Sequence, residues 1–200
     1  MNYLAHLHIA EHTQTSLLGN FLGDFVKGNP DGLFNKAVIK GIRLHRFVDS
    51  YTDNHTLIKQ SKPLFPKELR RFSPITLDMF WDHCLAKHWP MFHDDSLAQF
   101  TLQAQATVEM EKSELLLPLP EHFENVSELV WKGRWFEHYA DINNIEFALQ
   151  RIASRRPKMK PLAYTFNTLD EHYDQLTDTF FQLYPKVLEA VMIETKKETN

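Results

Sequence analysis

The sequence predicts an all-α fold, a single-domain helical bundle over residues 1–200, and three observations carry that reading. Apolar residues recur at helical rather than alternating spacing, helix-starting and helix-stopping residues punctuate the chain, and strand signals are scarce. With 200 residues, 43% of them apolar, the chain can bury a substantial core.

Taken in order, the elements follow from this punctuation. The opening "MNYLAHLHIAEH" stays ambiguous, because His6 and His8 share a face only in an extended chain, whereas His8 and His12 share one in a helix. A helix through "SLLGNFLGDFVKGN" should end at the Gly-Asn-Pro turn "GNPDG". Asn35 is a natural N-cap for a second helix running to about Ser61, and "PKELRRF" suits a short one. In "SPITLDMFWDHCLAKHWP", Ser73 can cap, Pro74 fits the first helical position, and Pro90 ends the run. Further helices are expected over "SLAQFTLQAQATVEMEKSE", around "NVSELVWKG" and along "DINNIEFALQRIASRR", followed by a break at "RPKMKP". Thr168 and Glu171 form a capping-box pattern for a final helix, bent at Pro185 and frayed from about residue 194.

Composition narrows the function. A net charge of -4 gives no global argument for nucleic acid or a membrane surface, and no apolar run approaches the roughly 20 residues of a membrane span. The lone Cys84 excludes an intrachain disulfide and a thiolate zinc site, and fits a reducing, cytoplasmic setting. The oligomeric state is left open.

Chemistry-bearing residues interrupt apolar faces. On a helical wheel Val38, Ile42, His45 and Asp49 share a narrow sector with Asp53 at its edge. Ile75, Asp78, Met79, Asp82, Leu85, Ala86 and Trp89 likewise project to one side, and Asp24 flanks the face of Leu17 and Phe21. A carboxylate on a buried face must be protonated, paired with a cation, or bound to metal. Three segments offering such groups favour a shared site, and an Asp-rich set with one or two imidazoles suits Mn²⁺ or Mg²⁺ rather than structural zinc. Ions of that kind serve phosphoester cleavage. His6 and His8 are either packing residues or metal ligands, and with Asp53 they are also candidates for supporting the ligands. His83 projects away from the Asp78 and Asp82 side, and the His93–Asp94 pair falls in an expected loop. The basic clusters at Arg70 and Arg71 and from Arg155 to Lys160 are solvated surface or a dock for an acidic partner.

Read together, "MNYLAHLHIA", "GNFLGDFVKGNP", "GIRLHRFVDSYTDN", "SPITLDMFWDHCLAKHW", "RIASRRP" and "LDEHYDQLTDTFFQLYP" resemble the acyl carrier protein phosphodiesterase family, a divergent relative of HD-type phosphohydrolases. The resemblance implies a cytoplasmic, divalent-metal-dependent hydrolase with an HD-phosphohydrolase-like fold. It would remove 4′-phosphopantetheine from holo-acyl carrier protein, an acidic substrate. It also implies roles: Asp24 as ligand or positioner of the attacking water, and His45, Asp49, Asp78 and Asp82 as the metal shell. His83 would then act as proton donor, with Arg155 and Arg156 on phosphate or carrier. Two alternatives stand beside it, a hydrolase of a nucleotide or other small phosphoester, and a metal-free helical interaction module.

Overall fold

The computed structural model describes residues 1–197 and is all-α, with eleven α-helices and no strand among the described residues. The helices are α1 (Tyr3–His12), α2 (Leu17–Leu22), α3 (Lys36–Asn54), α4 (Thr56–Ser61), α5 (Ser73–Lys87), α6 (Leu97–Ser113), α7 (Glu121–Lys132), α8 (Trp135–His138), α9 (Ile142–Ser154), α10 (Phe166–Glu171) and α11 (Tyr173–Lys197). None of them is long and apolar enough to cross a membrane.

Side-chain caps, of which Asn35 is the expected one, explain several starts. Asn35 Oδ1 accepts from the Val38 amide at 3.0 Å, and Ser96 and Asp141 cap α6 and α9 in the same way. Elsewhere the boundaries moved. The segment over Leu17–Leu22 stops before Gly23, so Asp24 lies in a turn rather than on a helix. The helix expected to reach Ser61 breaks at His55, whose extended backbone separates α3 from α4. "PKELRRF" forms only a 3-10 turn over Arg70–Phe72, and Ser73 is the first residue of α5 rather than its cap. Thr168 sits inside α10, because the turn at His172 divides the last segment one residue before Tyr173. The expected fraying from residue 194 is not found up to Lys197, which α11 includes; residues 198–200 lie outside the described ones.

One helix organises the rest. α5 is buried nearly all round, with Phe80, Trp81, Cys84 and Leu85 inaccessible, and it packs against α1, α8, α9 and α11. A helix enclosed on every side has no single apolar stripe, so the wheel's one-sided reading of Asp78 and Asp82 understated its burial. The second organising contact is α2 against α3. A Cβ on Gly19 would lie 2.3 Å from the Val38 carbonyl oxygen, and one on Gly41 would lie 2.7 Å from the Ser16 carbonyl oxygen. Both clashes are with backbone, so only glycine permits this approach. It brings the turn after α2 onto the middle of α3, where Arg46 fastens it by donating to the carbonyls of Val26 and Gly28 at 2.5 and 2.7 Å.

Two helix starts are capped from a distance. Asp82 accepts from the amides of Leu4 and Ala5 at 2.8 and 3.1 Å, serving α1, whose own Asn2 makes no capping bond. Glu111 on α6 accepts from the Leu18 amide at 2.7 Å and from Ser16 Oγ at 2.8 Å, serving α2. Orphan amides at a helix start carry partial positive charge, and a carboxylate there answers both hydrogen bonding and charge.

Candidate metal centre

The close approach of α2 and α3 creates the site. His45 is buried in α3 and its ring lies so near the chain that a Cβ on Gly23 would fall 2.0 Å from its Cγ. Its Nδ1 lies 2.8 Å from the Asn20 carbonyl, which can only accept, so Nδ1 carries the proton and donates. That bond aims Nε2 at the carboxylates of Asp49, at 3.1 Å, and Asp24, at 3.4 Å. From α1, buried His6 brings its Nε2 to 3.1 Å from Asp49 and stacks on His45 with ring centroids 3.7 Å apart. His6 Nδ1 is buried with no hydrogen-bond partner. The amino group of Met1 closes one side, 2.7 Å from Asp78 and 3.5 Å from Asp49.

Electrostatics follow from this crowding. Burial opposes the charge on His45, but the hydrogen bonds and charges of Asp24 and Asp49 win and raise its pKa to about 9. His6 goes the other way: burial and the neighbouring His45 hold it down to about 4 against the pull of Asp49. Although burial works against its charge, Asp49 is held far below the usual carboxylate range by the hydrogen bonds from His45 and His6. Asp24 is lowered by His45 in the same way. Asp78 is raised, because its burial outweighs the Met1 amino group beside it.

The donor set fits a divalent cation. His6, His45 and Asp49 can each turn one ligand atom into a group lying within 4.8 Å. The Nδ1–carbonyl bond of His45 is the outer contact that characteristically orients a ligating imidazole. Asp24, with a side chain 56% exposed, stands at the open edge beside them.

The remaining candidates lie elsewhere. Both Asp82 oxygens are committed to the start of α1, and burial against those two bonds raises its pKa to about 7. The cation that could have neutralised a buried Asp is here replaced by backbone amides. His83 is pinned between the Tyr139 carbonyl and the Tyr173 hydroxyl, each at 2.7 Å. His8 bonds the Tyr184 hydroxyl and the Phe92 carbonyl, and is a packing residue in this arrangement. His93 bonds Glu11 at 2.7 Å. Asp53 is exposed, near enough to raise the pKa of Asp78. Arg155 and Arg156 are both exposed, and Arg155 lines a cavity of about 420 Å³ that reaches Asn2 and Tyr3.

The sequence leaves His6 between packing, ligation and support, because nothing in it decides whether that stretch is helical. The overlooked signal was the trio Gly19, Gly23 and Gly41. Two of these let α2 and α3 touch, and the third makes room for an imidazole.

Comparison with known proteins agrees with the resemblance. Residues 1–187 match the profile of the acyl carrier protein phosphodiesterase family. A protein of that name from Serratia proteamaculans is 45% identical over 191 residues, covering 94% of this chain and 96% of the relative. Those from Pectobacterium atrosepticum and an Escherichia coli strain are 43% and 41% identical over 190 residues, with the same coverage. No solved structure matches the chain. A whole-length match of this order leaves one conclusion: the chain belongs to the acyl carrier protein phosphodiesterase family.

Proposed function

We propose that this protein is a divalent-metal-dependent phosphodiester hydrolase that removes 4′-phosphopantetheine from holo-acyl carrier protein and leaves the apo form. The observation that carries the reading is the convergence of His6, His45 and Asp49, with Asp24 at its open edge, in a chain whose relatives bear that name. His6, His45 and Asp49 would hold the ion, and two imidazoles favour Mn²⁺ over Mg²⁺, which prefers an all-oxygen shell. When bound, such an ion supplies charge neutralisation at phosphate oxygens and lowers the pKa of water.

The chain's own groups do the rest. Asn20 fixes the His45 ring through Nδ1, so that Nε2 faces Asp49 and Asp24. Asp24 accepts a proton from the incoming water at the exposed edge and returns it to the carrier's serine oxygen as the bond from that oxygen to phosphorus breaks, while Arg155 steadies a non-bridging phosphate oxygen, since guanidinium forks onto oxyanions. Asp82 and His83 have structural rather than chemical duties in this reading, and Asp78 balances the charge of the Met1 amino group.

The test follows the intact mass of holo-carrier incubated with protein and Mn²⁺, with and without chelator. Loss of the phosphopantetheine mass that requires metal, Asp49 and Asp24 is the expected result. An unchanged carrier mass with metal supplied would sink the proposal.

A further inference from the structure

We infer that the cavity beside the cluster is the seat of the pantetheine arm, an inference that rests on the hydrolase reading above. The cavity is about 420 Å³, within the roughly 300–1,000 Å³ typical of small-molecule sites. Val126, Trp135, Phe147 and Ile152 give it apolar walls, while Asn144, whose Nδ2 donates to the His138 carbonyl at 3.0 Å, and His138 add polar groups among them. A neutral chain carrying methyl groups and two amides matches that lining, because its apolar parts gain from burial and its amides must keep partners.

Position singles out this occupant. Asn2, Tyr3 and Met79 belong to the cavity wall, and the residues next to them in sequence, Met1 and Asp78, touch each other at the edge of the cluster. Asn2 bridges to the Met79 sulfur at 3.1 Å, tying the start of the chain to α5 along that boundary. Tyr3 is held between Phe21 and Phe25, with ring centroids at 5.2 and 6.1 Å, on either side of Asp24 in sequence. Arg155 adds a cation to the wall, and the charges of both Asp24 and Arg155 act on Tyr3. A ligand with its phosphate towards the cluster and its uncharged arm in the cavity would lay that arm along these apolar walls, with Arg151 and Arg155 also among the lining residues.

Pantetheine itself, lacking phosphate and carrier, is the probe, titrated against the full chain by saturation-transfer NMR. Ala148→Trp fills the cavity from α9, and Phe147→Ala trims its rim at a side chain already 58% exposed, so the second variant does not threaten folding. Saturable binding to the unaltered protein, weakened about tenfold by Ala148→Trp and severalfold by Phe147→Ala but not by Asp49→Ala, is the expected result. Absence of saturable binding, or binding to both cavity variants as tight as to the unaltered protein, overturns the inference even if holo-carrier is cleaved. Cavity-dependent binding with no metal-dependent loss of arm from holo-carrier supports the pocket and removes the hydrolase reading.

Discussion

Gly23→Ala should disable the centre without unfolding the protein. The added Cβ would stand 2.0, 2.2 and 2.6 Å from His45 Cγ, Cδ2 and Cβ, whereas carbon atoms rest about 3.5–4.0 Å apart, so the ring must retreat by roughly 1.5 Å. No space receives it, because the ring is stacked 3.7 Å from His6 and its Nδ1 is bonded to Asn20. Overpacking of this kind costs about 1–3 kcal/mol of stability. Misplacement of a site group by about 1 Å costs on the order of 100-fold in rate, so arm release from holo-carrier should fall by at least about that factor. Gly28→Ala is the control: nothing lies within 4 Å of its Cβ, but its φ of +74° makes alanine cost about 1–2 kcal/mol. Thermal midpoints and mass-resolved arm release, measured on both variants with Mn²⁺ in excess, should then show similar destabilisation but activity lost only in Gly23→Ala. A Gly23→Ala enzyme within about threefold of the unaltered rate would refute the placement of His45 in the site.

Three further outcomes follow from the same contacts. Asp82→Ala orphans the Leu4 and Ala5 amides and should lower unfolding free energy by about 2–4 kcal/mol in urea titrations, whereas Asp49→Ala should abolish arm release. Mn²⁺ should raise the melting temperature of the unaltered protein and leave that of Asp49→Ala in place, as binding to the native state alone requires; equal shifts would argue against the cluster. His83 is held down to about 4 by burial, so between its ordinary value of 6.5 and that point the unfolded chain binds a proton that the folded one refuses. Its contribution is therefore intact above pH 6.5 and lost as pH falls towards 4, up to about 3 kcal/mol, and His83→Gln should flatten the stability curve over that interval.

How far the sequence could be read depended on whether the deciding physics was local. Asn35, Ser96 and Pro74 act within a turn of themselves, and the helices they start are where local rules put them. The ends that shifted, after Leu22 and at His55, are set by tertiary demands: the first must free Asp24 and admit His45 beside Gly23. His45 and Asp49 were legible because their i, i+4 spacing on one helix is itself the geometry of the contact. His6 was not, because its partners are 39 and 43 residues away in α3 and nothing in "LAHLHIA" shows which of two histidines faces them.

The two aspartates of α5 have different partners despite their shared spacing. Asp78 and Asp82 share a face, yet one sits beside the Met1 amino group while the other holds the first amides of α1. Their difference is set by α1, which lies across α5 with its start over Asp82, and that crossing is also what carries His6 to Asp49. In the proposed centre, Asp82 would therefore act through the helix it caps. Releasing that start frees His6 along with it, so Asp82→Asn, which keeps one accepting oxygen, should retain more metal affinity than Asp82→Ala, and the difference should vanish when His6 is already replaced by alanine. Additivity of the two substitutions in Mn²⁺ affinity would show that the cap and the ligand are independent.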